Sequence, residues 1–261
     1  MISAFRVRAR LPNPLILAAI AVAWGLAVIA EATGHGKLFH HDTLIEGGLN
    51  PWAALGLFLV SWQAMIAAMM LPSSLPMIGL FSRISAGQPN SRPVRAAFLA
   101  GYFAVWTVFG ALALAGDAVI HRAVDSWPWL EAHSWLIPAG VLVGAGVFQL
   151  SPLKDACLKA CRNPGAFLLA HYRSRGAAGA FALGRDHGLF CLGCCWALML
   201  VAFAAGVANL AWMAVMTLIM LFEKTGPQGD RGVVPIGLTL IALGILVALQ
   251  PAWLPPIVAL H

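Results

Sequence analysis

The stretch His187-Gly-Leu-Phe-Cys191-Leu-Gly-Cys194-Cys195-Trp196-Ala-Leu-Met199 decides how the rest of the chain is read. Three of the five cysteines fall in it, at the head of a long apolar run. The run is continuous, not alternating, so it predicts a helix rather than a strand. The whole chain shares that character: of 261 residues, 61% are hydrophobic and 10% charged. A soluble domain carries roughly 25% charged residues. This composition cannot cover a core with a polar surface, so lipid is the expected solvent. In hydrocarbon only helices or closed barrels satisfy their own backbone. The expectation is an all-α, polytopic membrane helix bundle of about seven transmembrane helices in a single domain.

Working outward, apolar runs of spanning length are expected at 15–31, 52–71, 96–115, 135–150, 188–207, 211–222 and 233–249. Arg6, Arg8 and Arg10 precede the first run, and Ala30-Glu31-Ala32 resembles a cleavage site. A retained first helix is favoured; cleavage would leave six spans. Pro72 and Pro76 are expected to end the second span. Trp127, Trp129 and Trp135 suit an interfacial belt. Residues 151–186 are read as a polar loop that carries a short interfacial helix.

Seven spans make the loops alternate, and charge tests the alternation. With the N-terminus inside, Lys37 and Arg122 are the only two of the sixteen Lys and Arg outside. That asymmetry predicts a bacterial inner (cytoplasmic) membrane protein with its N-terminus cytoplasmic and its C-terminus periplasmic. The +6 formal charge therefore belongs to membrane orientation, and no nucleic-acid partner is expected. All five cysteines fall on the cytoplasmic side, where thiols stay reduced, so metal ligands are expected in preference to disulfides.

Cys157 and Cys161 are four residues apart, which places both sulfurs on one face of a helix. Pro152-Leu-Lys-Asp155 suits a helix start and Arg162-Asn-Pro164-Gly165 a stop. Cys191-Leu-Gly-Cys194 has the spacing of a two-ligand grip. At the first turn of a helix, free N–H groups would favour the thiolate that binds metal. The expected ligands are Cys157, Cys161, Cys191 and Cys194, with Cys195 as alternate and His187 as a possible replacement. Met65, Met69 and Met70 are further soft donors, although buried methionine is also ordinary packing. The same holds for the stripe Met213, Met216 and Met220. Glu223-Lys224 reads either as an interfacial ion pair or as a carboxylate that tunes a metal site. The loop with His35, His40, His41 and Asp42 could capture a borderline metal or be simply solvated. Gln63 and Gln149 are expected to hydrogen-bond between helices.

The segments 68–73, 101–106, 149–154, 157–162, 191–196 and Glu223-Lys224 together resemble a bacterial family of integral membrane proteins described as predicted metal-binding, a domain of unknown function. The resemblance covers roughly residues 50 to 230. It implies a metal-binding membrane protein and carries no substrate, reaction or partner.

The functional expectation is binding, delivery or transport of a soft or borderline ion, copper or zinc, with the lipid bilayer and a metal donor or acceptor protein as partners. A membrane thiol-disulfide oxidoreductase is one alternative. A non-catalytic assembly subunit with a structural metal is another. No cofactor fingerprint supports an enzyme.

Overall fold

The computed structural model describes residues 14–33, 50–204 and 210–250. Ten helices are found there: α1 (Pro14–Ala32), α2 (Pro51–Ser85), α3 (Ser91–Ser126), α4 (Pro128–Glu131), α5 (Leu136–Gln149), α6 (Pro152–Arg162), α7 (Pro164–His171), α8 (Gly176–Ala204), α9 (Leu210–Thr225) and α10 (Gly229–Leu249). No strand occurs among the described residues. Arg6, Arg8, Arg10, the histidine-rich loop of His35, His40, His41 and Asp42, and His261 lie outside them.

Five helices, α1, α2, α3, α8 and α10, are long and apolar enough to cross a membrane. Helices α5 and α6 join them as a sixth only if the pair, bent by 65°, counts as one span. Helix α9 has 16 residues, short of the ~20 that a bilayer takes. Seven helices of full spanning length are therefore not present among the described residues.

Helix α2 departs from expectation by running through both prolines to Ser85. Pro72 has no N–H to give the carbonyl of Ala68, one turn earlier. The indole of Trp24 on α1 donates to that carbonyl instead, at 3.1 Å. The Ser73 hydroxyl donates to Met70 O at 3.0 Å. With the freed carbonyl satisfied from a neighbouring helix, the chain need not break there.

Helix α8 also begins earlier than expected, at Gly176. Residues 176–187 are mostly Ala, Gly and Leu, good material for a close-packed helix, and the two charges among them satisfy each other. Arg185 donates to Asp186 at 2.7 and 3.0 Å. The buried face runs through Gly179, Ala180, Leu183, Gly184, His187, Cys191, Cys194 and Cys195, at helical spacing. Helix α3 packs more extensively against α8 than any other pair in the bundle. A Cβ on Gly184 would lie 1.9 Å from Phe98 O, so only glycine lets these two backbones meet.

Helices α2, α3 and α8 meet in an aromatic core of Phe58, Trp62, Phe109 and Phe203. Trp62 Nε1 donates to Trp106 O at 2.8 Å, and Gln63 donates to Thr107. Helix α6 is amphipathic. Cys157 and Leu158 are buried, while Lys159 and Asp155 form an exposed ion pair of 2.6 Å at 71% and 60% side-chain exposure.

Candidate metal centre

The cysteines of α8 sit about four turns from its start, so the free N–H groups of a helix N-terminus are not what surrounds them. The expected dipole support is therefore corrected: every N–H here is inside the helix. The positive charge comes from a side chain that the sequence reading left out of the site. Lys224, at the end of α9, is buried, and its Nζ lies 3.0 Å from Cys191 Sγ and 3.7 Å from Cys195 Sγ. Met70 Sδ and Ser73 Oγ complete its surroundings at 4.0 and 3.3 Å.

Cys191 has a second donor. Ser74 donates to the Tyr102 hydroxyl at 3.2 Å, which leaves the Tyr102 proton free for Cys191 Sγ, also at 3.2 Å. Two donors converging on one sulfur put it in an acceptor's position. Cys195 Sγ points to Cys191 O at 2.8 Å and to Met70 Sδ at 3.6 Å. Met70, Ser73 and Ser74 all come from the stretch of α2 around Pro72.

The second cysteine group arrives on α6. Cys161 Sγ lies 3.8 Å from Cys194 Sγ. Cys157 is buried against α8, where a Cβ on Gly193 would fall 2.6 Å from its sulfur. Two cysteine groups some thirty residues apart in the chain therefore meet. What fixes α6 there is ionic. Lys154 Nζ pairs with Glu223 Oε2 at 2.6 Å, both side chains nearly fully buried. Gln149 Nε2 donates to the other carboxylate oxygen at 2.7 Å. Arg162 Nη1 donates to the Glu223 carbonyl at 2.5 Å. Glu223 is thus the joint that ties α5 and α6 to α9, and it faces this knot rather than the sulfurs.

His187 lies one turn before Cys191 among the rings of Phe98, Tyr102 and Phe167. Its Nε2 is buried without a hydrogen-bond partner among the described residues. Met65 and Met69 are fully buried on α2 but make no sulfur contact of this kind among the described residues. Met213, Met216 and Met220 are buried on the same α9 face that ends in Glu223 and Lys224.

Among the described residues, no three His, Cys, Asp or Glu side chains stand arranged as a ready metal cage. The donor set explains what can bind. All five cysteines are free thiols. Cys194 and Cys195 both turn their sulfurs to Cys191 O, as protonated thiols do in a helix. The nearby carboxylate is engaged by Lys154. What remains is soft: thiols one turn apart and a thioether. Such a set suits a soft cation of low coordination number far better than a hard one.

A family model described as PpoB2, copper chaperone, matches residues 59–247. Every residue of the cluster, from Met70 to Lys224, lies within that match. No curated protein and no solved structure matches the chain.

Proposed function

Since the chain belongs to the copper chaperone family PpoB2, we propose that it is an integral membrane protein that holds Cu(I) on the sulfurs of Cys191, Cys195 and Met70. The pair Cys161 and Cys194, beside Cys157, is the place where the ion is taken up or handed on. The observation that carries this reading is a run of sulfurs in contact: Cys191 and Cys195 around one buried ammonium, with Cys194 of the same helix meeting Cys161 of α6. Two thiols and a thioether suit Cu(I), which binds soft donors in small number, better than zinc, which takes four ligands in a structural site. The ion is cargo: a chaperone must release it, and a site split between a span and a surface helix offers a second pair of thiols for transfer.

The membrane setting draws its support from the exposed residues of the long helices, which are apolar: Val22, Leu26, Ile29, Val108, Leu112, Leu243 and Leu246. Trp127 and Trp129, both exposed just beyond the end of α3, suit one lipid interface. The wetted Asp155–Lys159 pair suits α6 lying on the other. Short α5 and α9 would bring the number of crossings to seven, with the cysteine site at the cytoplasmic side. Charge asymmetry in the loops supports that orientation.

The test is metal analysis of the detergent-purified full chain loaded with Cu(I). One copper per chain, lost in Cys191→Ser and weakened in Cys161→Ser, is the expected result. A chain that takes up no copper and instead forms a reversible Cys161–Cys194 disulfide would point to thiol exchange, which the 3.8 Å sulfur separation also permits.

A further inference from the structure

We propose that Lys224 is the residue that makes the Cys191–Cys195 pair select a monovalent over a divalent soft cation; the proposal rests on the copper-binding reading above. Two buried lysines lie near each other in this part of the bundle, and they are provided for differently. Lys154 has Glu223 as its counter-charge at 2.6 Å. Among the described residues, the close partners of Lys224 are two thiol sulfurs, one thioether and one hydroxyl. The ammonium of Lys224 is therefore balanced by whatever charge the sulfurs and their cargo carry together.

Charge counting then decides between ions. A metal binds thiolates, so Cys191 and Cys195 contribute two negative charges when both ligate. With the Lys224 ammonium beside them, the two thiolates sum to one net negative charge before the ion is counted. A monovalent ion brings it to neutrality. A divalent ion leaves it positive, in surroundings where an uncompensated buried charge is strongly penalised. Met70, 3.6 Å from Cys195 Sγ, is a neutral donor and does not alter the count. Each thiol still holding its proton gives it to solvent as the ion binds, and no electron moves. Without Lys224 the preference inverts: a monovalent ion leaves one negative charge, and a divalent ion leaves none.

The experiment compares Cu(I) and Zn(II) affinities of the detergent-purified full chain, each against a chromophoric chelator, with Cys191→Ser as the reference for binding at this pair. Lys224→Met is expected to shift the Cu(I)/Zn(II) affinity ratio toward zinc on the order of 100-fold, from the strength of a charge pair at this distance. Lys224→Arg keeps the charge and should keep most of the ratio. A site that has merely loosened loses both ions together, so the ratio separates charge from structure. If Lys224→Met does not fold, Lys224→Gln carries the same neutralisation with a polar side chain. An unchanged ratio in a folded neutral variant overturns the proposal. So does a wild-type pair that holds zinc as tightly as Cu(I). Should wild-type chain bind neither ion through Cys191, the copper-binding reading itself fails, a different outcome from copper bound there with an indifferent Lys224.

Discussion

Glu223 and Lys224 are neighbours in the chain and face two regions of opposite design. On one side, Glu223 closes an ionic knot with Lys154 and Gln149, in which both oxygens of the carboxylate are engaged. On the other, Lys224 enters a nest of sulfurs with no carboxylate among its close partners in the described residues. Burial of charge is common to both; completeness is not. A buried ion pair with its hydrogen bonds filled holds helices in place. An ammonium facing thiols is finished only when something negative, such as a thiolate–metal unit, sits beside it. The knot is thus the fixed joint and the nest the proposed copper site.

That contrast can be broken most directly at the joint. Glu223→Gln leaves the Lys154 ammonium buried and unpaired, a change worth about 3–5 kcal/mol, and the melting temperature in detergent should fall steeply. Adding Lys154→Met should recover much of the loss, since no charge is then stranded. Lys224→Met, by contrast, should cost less than ~2 kcal/mol without metal, because the thiols can simply stay protonated. Equal losses at the two sites would abolish the distinction.

Gly184→Ala addresses the scaffold behind both regions. Its Cβ would meet Phe98 O at 1.9 Å, and backbone cannot yield cheaply, so about 1–3 kcal/mol should be lost. The same thermal melt reads it, together with weaker copper retention as α3 and Tyr102 move from α8. Trp24→Phe is a milder probe, reaching the nest through the proline segment. It removes the donor to Ala68 O, worth about 1 kcal/mol, and Met70 should bind its share of the site less firmly. Smallest is Lys159→Ala, which breaks an exposed pair and should shift stability by no more than ~0.5 kcal/mol, leaving copper binding as it was.

Much of this architecture can be read from the chain, and the misses have physical causes. Long apolar runs announce helices, and the spacing of Cys157 with Cys161 announces one face of a short one. Where Arg185 and Asp186 suggested a loop, they hydrogen-bond each other on the helix surface, and a mutually satisfied pair does not end a helix. Pro72 suggested a break, but the donor that repairs it, Trp24, is distant in sequence, and no local pattern shows it. Lys224 was hidden for a similar reason. Beside Glu223 at a helix end it looks like half of an interfacial pair, whereas the two side chains point to different partners. The available signal was periodicity: Met213, Met216, Met220, Glu223 and Lys224 continue a single buried stripe.

The central claim is that sulfur atoms around Lys224 hold copper, and X-ray absorption at the copper edge of the Cu(I)-loaded chain tests it most directly. The account predicts a Cu(I) edge with a sulfur-only first coordination sphere that disappears in Cys191→Ser. A sphere of nitrogen or oxygen ligands, or an unchanged sulfur signal in that variant, would contradict it.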